Sequence, residues 1–440
     1  MTLRLDETHD VGIGSWIGSA QRAEGDFPLQ NLPLGVFRRR GVVDPRIGTA
    51  IGDRILDLHR AAAVGALTLD PGLHEAVQAR TLNPLMSRGR KALRTVRSAL
   101  HALLREDSRL PRPPDECLVP LGEADLLLPA DIGDYTDFYA SIHHALNVGT
   151  MLRPDQPLLP NYKWVPVGYH GRASSIVPSG TPVRRPLGQQ REEGAPAPVL
   201  APTRALDYEC EVGAWVGRGN PLGQRVSIGE AEEHLAGLSL VNDWSARDVQ
   251  RWEYQPLGPF LAKSFATTVS PWIVTLDALE PFRTALAERP SGDPAPLPYL
   301  DEGETRGRSG FAIELEVWLS SARMREDGVA PCRLSRGNFD QMYWTPAQLV
   351  THHASNGCNL RPGDLLASGT VSGPTRESRG CLLELTWRGS EPITLPTGEQ
   401  RRFLEDGDEV IMRGRCAREG FAAIGFGECR GIVLPAEEIG

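Results

Sequence analysis

Asp134-Tyr135-Thr136-Asp137-Phe138-Tyr139-Ala140-Ser141-Ile142-His143-His144-Ala145-Leu146-Asn147-Val148-Gly149-Thr150-Met151 packs acids, aromatic hydroxyls and two adjacent histidines into one segment, and the rest of the chain is organised around it. Read as a helix from Asp137 onward, it sets Asp137 and His144 about 20° apart in direction and ~10 Å apart along the axis. The two would share a face without touching. That spacing suits a carboxylate holding a cation at one end of a substrate and a base at the other. Taken alone, the stretch fits equally an ordinary amphipathic helix with a surface acid and a solvated histidine.

On its amino-terminal side, residues 1–25 read as a loosely held extension. The body begins at Asp26-Phe27-Pro28, and Arg46 to Leu58 gives two short strands turning at Gly52-Asp53. From Leu73 to about Leu104 the pattern is helical, with a break at Asn83-Pro84. Pro111 to Pro114 and the acidic stretch near Glu123 read as a connector, so residues 26–126 form a small domain and 127–440 a larger one. In the larger part Gly188 to Pro202 is a Pro/Glu-rich surface excursion. Beyond it lie short β-rich runs between Gly/Pro turns: Leu206 to Val216, Phe311 to Leu319, Cys381 to Trp387 and Glu409 to Met412. Glu230 to Leu238 and Thr345 to Ser355 are expected as helices. The fold class expected is mainly β with α, that is, α+β.

The 440 residues carry 40% apolar and 23% charged side chains, an ordinary globular balance that excludes a mostly disordered chain. A net charge of −9 with no basic domain argues against nucleic acid or an anionic membrane as partner. The seven cysteines are widely spaced with no CxxC pair, which points to a reducing cytoplasm and not to a disulfide framework or zinc ribbon. No apolar run approaches the ~18–20 residues needed to cross a bilayer, and a soluble protein is expected.

Three further clusters carry chemistry. In Asp207-Tyr208-Glu209-Cys210-Glu211, a strand would project Glu209 and Glu211 from one face with Cα atoms ~6.5–7 Å apart. Carboxylates that close repel unless protonated or bridged, and hard oxygen ligands suit Mg²⁺ or Ca²⁺; a solvated strand face gives the same pattern. Asp243, Arg247, Gln250 and Tyr254 recur at i, i+4, i+7 and i+11, which on one helix would line one face with an acid, a cation, an amide and a phenol. An exposed helix with an Asp243–Arg247 ion pair is the alternative. The Pro256-Leu257-Gly258-Pro259 bend would return Lys263 to the same region. In Thr351 to Gly373 a helix runs out at Gly357 and a small-residue loop leads to Thr370. Glu384 sits in the apolar run Cys381 to Leu385, where an acid is costly unless paired. P-loop, dinucleotide and nucleophile-elbow motifs are missing. Water activated by histidine, beside a metal-bound carbonyl, is the chemistry these residues favour.

Taken together, the segments from Asp26-Phe27-Pro28 to Ile424-Gly425-Phe426-Gly427 resemble the fumarylacetoacetate hydrolase family. The resemblance rests on Asp134 to Tyr139, Val167 to Ser175, Asn242 to Tyr254 with its Pro-Leu-Gly-Pro continuation, and Met342 to Gly373. It implies a small SH3-like barrel before a mixed β-roll catalytic domain, a homodimer, and a diketo-acid substrate. The implied reaction is hydrolysis of the carbon–carbon bond of 4-fumarylacetoacetate to fumarate and acetoacetate, the last step of tyrosine and phenylalanine breakdown. By motif, Asp137, Glu209, Glu211 and Asp243 would hold a divalent cation, Mg²⁺ or Ca²⁺, and Lys263 and Thr267 would belong to a second Mg²⁺ site. His144 would be the base, oriented by Glu384. Tyr139, Arg153, Gln250, Tyr254 and Thr370 would touch substrate, while Arg247, Gln250 and Lys263 would stabilise developing negative charge. Ala266 replaces the family's glycine between Lys263 and Thr267. An acylpyruvate hydrolase or oxo-acid decarboxylase of the same superfamily, or a metal-dependent binding protein without turnover, are the competing readings.

Overall fold

Short apolar runs make Leu34–Arg39, Arg46–Ile51 and Arg54–Asp57 antiparallel strands, and the chain reverses at Gly52-Asp53 as the sequence indicates. The computed structural model describes residues 5–192 and 194–438. Leu118–Pro120 extends the Arg54–Asp57 edge; after one 3-10 turn, Ala124–Leu127 comes back to pair with Leu34–Arg39. Five strands in this order, with the tight turn before the last, make the expected SH3-like barrel.

The helical stretch is three pieces, Pro71–Val77, Asn83–Met86 and Arg90–Leu104. In the last, Leu93, Val96, Leu100, Leu103 and Leu104 form one buried stripe. Arg97 lies on the same stripe. Its guanidinium donates to the carbonyls of Asn31 (2.5 Å), Gln30 (2.5 Å) and Thr8 (3.2 Å) and to the Thr8 hydroxyl (3.0 Å). Burial brings its pKa down to about 10, so it stays charged at neutral pH. The expectation of a loose extension therefore fails for residues 5–25, since Thr8, His9, Ser15, Ile17 and Ala20 are buried and His9 Nε2 lies 2.7 Å from the Asp277 carbonyl; residues 1–4 lie outside the described residues. No local pattern announces an anchor supplied by a helix far along the chain. Arg97→Met should lower unfolding free energy by ~3 kcal/mol, because it strands several buried acceptors at once. Equilibrium denaturation measures this, and unchanged stability would contradict it.

The barrel is not separate from the rest. Leu34↔Ile273 and Gly35↔Trp272 join it to Trp272–Thr275. Among the described residues a 13-stranded sheet then runs on through Leu235–Asp243, Cys210–Val216, Leu365–Ala367, Tyr135–Phe138 and Gly168–His170. A five-stranded sheet centred on Glu314–Ser320, Glu409–Cys416 and Ile424–Leu434 packs against it, with Leu240 and Phe426 closing on Gly414 and Trp244 on Gly431. As expected, Leu315, Val317 and Leu319 point inward while Glu314 and Glu316 take the other face. Leu187–Gln190 and Val199–Pro202 pair as a ribbon where a surface excursion was expected. No helix of the described residues is long and apolar enough to cross a membrane.

Several local assignments change. Glu230 to Leu238 is not a helix: Ala231–His234 is one 3-10 turn, and Leu235 opens a strand buried along its whole length. A strand covered on both faces shows no alternation, so periodicity cannot identify it. Leu206 to Val216 is two strands, Leu206–Asp207 and Cys210–Val216, the first pairing with Ser245–Ala246. Cys381 to Trp387 is not a strand but contains the single-turn helix Leu382–Leu385. Pro346–His353 is the helix expected within Thr345 to Ser355.

Candidate active site

Asp137 and His144 do not share a helix. Tyr135–Phe138 is a strand, and the helix is Ile142–Leu152, started by Ser141, whose hydroxyl accepts from the His144 N–H at 3.3 Å. Asp137 is held between two neighbours, pairing with Ala367 on one side and Tyr169 on the other. The two residues meet one site from two elements, so the ~10 Å helical separation drops out.

Asp243 likewise ends the strand Leu235–Asp243 and is not on the helix Arg247–Glu253 that follows. Glu211 sits near the start of Cys210–Val216, paired with Val241, and Glu209 just precedes that strand. Adjacent strand ends thus deliver four acids to one place. One oxygen from each of Asp137, Glu209, Glu211 and Asp243 lies within 4.8 Å of every other, and all four residues are buried. Burial first, then Asp243, pushes the Asp137 carboxyl well above its ordinary range. Burial, then Asp137 and Asp243, does the same to Glu211. Asp137 Oδ1 and Glu211 Oε1 have no hydrogen-bond partner. Unpartnered buried carboxylate oxygens converging with no nitrogen or sulfur donor fit a hard divalent cation. This is a candidate acidic metal site.

Lys263 enters the cluster as a cation. Its ammonium contacts Glu209 Oε2 and lies 2.5 Å from Asp243 Oδ2. Burial works against the charge, but Asp243 and Glu209 hold the pKa above the usual lysine value. An ammonium has no lone pair, so Nζ ligates nothing. Thr267 Oγ1 donates to Asp243 Oδ1 (2.8 Å), and the Tyr169 hydroxyl to Asp243 Oδ2 (3.1 Å). Arg247 does not pair with Asp243: its Nε donates to Asp207 (2.8 Å), and its Nη1 to Glu209 Oε1 (2.8 Å) and Gln250 Oε1 (3.2 Å). Arg247 Nη2 is buried and unpartnered, as is Thr370 Oγ1.

His144 is set against Glu384, Nδ1 to Oε2 at 2.6 Å. Glu384 also accepts from Ser372 Oγ (2.8 Å) and Asn147 Nδ2 (2.7 Å). Burial opposes its charge, yet His144 and these donors bring its pKa down to about 2. A permanent carboxylate keeps the imidazole proton on Nδ1 and leaves Nε2 as a base. That nitrogen lies 3.9 Å from Glu209 Oε1, at the edge of the acid cluster. The Tyr139 ring meets the imidazole edge-on, with centroids 5.2 Å apart.

A cavity of about 640 Å³ opens over this floor, and its wall includes Asp137, Tyr139, His144, Arg153, Glu209, Arg247, Gln250, Tyr254, Lys263 and Thr370. Glu211, Asp243, Thr267 and Glu384 support those residues from outside the lining. The wall comes close at Gly369, whose φ is +76° and whose N–H donates to Glu211 Oε2 at 3.1 Å. A Cβ there would lie 2.2 Å from the Phe138 carbonyl, so only glycine lets this loop reach the site. Sequence reasoning missed Asn147, Tyr169, Asp207 and Ser372. Asn147 had a signal, being one helical turn from His144 on the same face.

A sheet-rich α+β fold with a candidate acidic metal site and a carboxylate-backed histidine at one cavity fits the class of hydrolytic enzymes, and two regions of the sequence are of recognisable kind. The family described as Fumarylacetoacetate (FAA) hydrolase C-terminal matches residues 135–433, and that described as Fumarylacetoacetase N-terminal matches residues 30–129. This chain belongs to the fumarylacetoacetate hydrolase family. It is 50% identical to fumarylacetoacetase of Bos taurus over 423 residues, 94% of this chain and 97% of that one. It is 48% identical to fumarylacetoacetase of Oryza sativa subsp. japonica, over 93% and 95% of the two chains. Among solved structures, a fumarylacetoacetate hydrolase from psychrophilic Exiguobacterium antarcticum shares the fold with TM-score 0.50 at 18% identity, covering 92% of this chain and 100% of that one.

Proposed function

We propose that this protein hydrolyses the carbon–carbon bond of 4-fumarylacetoacetate to fumarate and acetoacetate, as a cytoplasmic homodimer that binds neither nucleic acid nor membrane. The observation that carries the reading is His144 in the cavity wall, backed by Glu384 at 2.6 Å, beside the four-carboxylate cluster that reaches the same cavity through Asp137 and Glu209. Near half identity to fumarylacetoacetases over almost the whole chain supports the choice of substrate. The proposed division is an extension 1–25, an SH3-like domain 26–126 and a catalytic domain 127–440, supported by the two family matches.

Asp137, Glu209, Glu211 and Asp243 would hold Mg²⁺ or Ca²⁺, and Lys263 and Thr267 would border a second ion if one binds. A bound cation would draw electrons from the diketone oxygens and make the attacked carbonyl carbon more electrophilic. His144 Nε2 takes a proton from water, and Glu384 stabilises the imidazolium that forms. The hydroxide adds to the carbonyl carbon next to the fumaryl double bond. Arg247, Gln250 and Lys263 stabilise the alkoxide, Arg247 through its unpartnered Nη2. The alkoxide collapses, the carbon–carbon bond breaks, and its electron pair leaves as the enolate of acetoacetate. The proton on Nε2 then reaches the enolate carbon, and His144 is restored. Tyr139, Arg153, Tyr254 and Thr370 hold the substrate's carboxylate and keto oxygens.

The test follows the diketone's near-ultraviolet absorbance with purified protein, added Mg²⁺ or Ca²⁺, and a chelator control. Metal-dependent loss of absorbance with release of fumarate is expected. Hydrolysis of acylpyruvates with fumarylacetoacetate untouched would move the protein to another activity of the superfamily.

A further inference from the structure

The assignment above gives Arg247 the developing oxyanion and Glu384 the orientation of the base, and the structure ties Arg247 and the turn that carries Glu384 to one carboxylate outside the cavity wall. We infer that Asp207 is a positioning residue that locks the oxyanion arginine and the base-orienting glutamate into one unit; this rests on the function proposed above. Asp207 is fully buried. Its Oδ2 accepts from Arg247 Nε at 2.8 Å and from the Leu383 N–H at 3.0 Å. Its Oδ1 accepts from the Leu382 N–H at 2.8 Å and the Tyr208 N–H at 2.9 Å. One carboxylate thus uses both oxygens, each twice.

The need for the tether follows from the helix that carries Glu384. Leu382–Leu385 is a single turn, and Cys381, at its N-cap position, supplies no side-chain cap. One turn of helix is not stable by itself, because nucleation fixes several residues for one hydrogen bond. Asp207 takes the place of the missing cap by accepting from the first two amides. The same residue fixes Arg247 from the other side. Asp207 pairs with Ser245 in a two-stranded ladder, the Arg247 N–H donates to the Ala205 carbonyl at 2.9 Å, and the guanidinium is held by its Nε. With Nε on Asp207 and Nη1 on Glu209, the fork has one orientation, and Nη2 is left for the substrate.

Asp207→Asn keeps the volume but sets an NH₂ group against donors that need an acceptor. In the metal-loaded enzyme kcat should fall about 10- to 100-fold, as for other groups that orient catalytic ones, while KM and metal affinity, read by metal titration, stay close to wild type. In an Arg247→Met background D207N should cost far less, since part of what it disrupts is already gone. A role limited to general folding would cost the same in both backgrounds. The downfield Nδ1–H proton resonance of His144, assigned by its loss in His144→Asn, should move in D207N. That signal needs no substrate, so it remains readable if the proposed substrate proves wrong. Should D207N fail to fold, Asp207→Glu retains charge and both acceptors while displacing them by one methylene, and the same kcat and resonance changes are expected. Wild-type kcat, equal losses in the two backgrounds, or an unmoved resonance would overturn the inference.

Discussion

His144→Ala is expected to lower kcat by about 10³- to 10⁴-fold while metal and substrate still bind, because it removes the one group placed to take the proton from water. The neighbouring geometry separates this loss from a binding defect. His144 is not in the four-carboxylate set, and its Nδ1 is committed to Glu384 at 2.6 Å. The carboxylate nearest to Nε2, Glu209 at 3.9 Å, is committed to ion pairs with Lys263 and Arg247. Arg247 and Lys263 are cations held by carboxylates, and burial, followed by Glu384 and Glu209, pushes Tyr139 well above the ordinary phenol range. Turnover in single-turnover and steady-state assays, alongside metal titration, measures the split. Near-wild-type kcat would remove His144 from the mechanism. Glu384→Gln should show the intermediate case, a smaller loss of kcat with the imidazole present but free to take the wrong tautomer.

The same pair has a pH signature in stability. Glu384 has a folded-state pKa of about 2 against an ordinary 4.5. A depressed carboxylate pKa means that its stabilising contribution is complete above 4.5 and is lost as pH falls from there towards 2. Thermal unfolding of Glu384→Gln should therefore vary less with pH across that window than wild type does.

The chemistry of this site was more legible in the sequence than its scaffold. Asp137, Glu209, Glu211 and Asp243 each stand in unusual company in the sequence, only the family resemblance groups them as one ligand set, and they meet within 4.8 Å. The elements proposed to carry them were partly wrong, for a common reason. Asp243, Arg247, Gln250 and Tyr254 do have helical spacing, but Asp243 ends a strand that continues to the helix after a short break. A period of 3.6 cannot distinguish one helix from a strand end followed by a helix. Asp137 and His144 show the same ambiguity, although Ser141 carries the capping signal that starts the helix five residues after Asp137. Glu384 reads as costly and in need of a partner, which His144 supplies, yet its run of leucines reads as strand or helix alike. What decides for helix is Asp207, 175 residues earlier in sequence from Leu382, accepting that turn's first amides. Long-range caps and anchors such as Asp207 and Arg97 leave no local trace.

Glu211→Gln is expected to weaken divalent-metal binding by at least about tenfold and to reverse sign in stability between metal-loaded and chelated protein. In the loaded state the variant loses a hard anionic ligand. Stability gained from the ion follows RT ln(1 + [L]/Kd), so wild type with metal at a hundred times Kd gains ~2.7 kcal/mol. A tenfold weaker variant at the same concentration gains about 1.4 kcal/mol, and its unfolding midpoint should lie below wild type. Chelation removes that term from both proteins. What remains is four buried carboxylates within 4.8 Å, offset by the Lys263 ammonium and by Arg247 on Glu209. Burial and the facing acids already push the Glu211 carboxyl far above its normal range, which is the mark of an anion the metal-free fold does not favour. Glutamine keeps the shape, can still accept from the Gly369 N–H, and removes the repulsion. Chelated Glu211→Gln should therefore be at least as stable as chelated wild type. Calorimetric unfolding of both proteins, each with and without chelator, gives all four values. A variant less stable than wild type by the same amount in both conditions would mean that Glu211 is structural and ligates no ion, and the four-carboxylate cluster would lose its claim to be the metal centre.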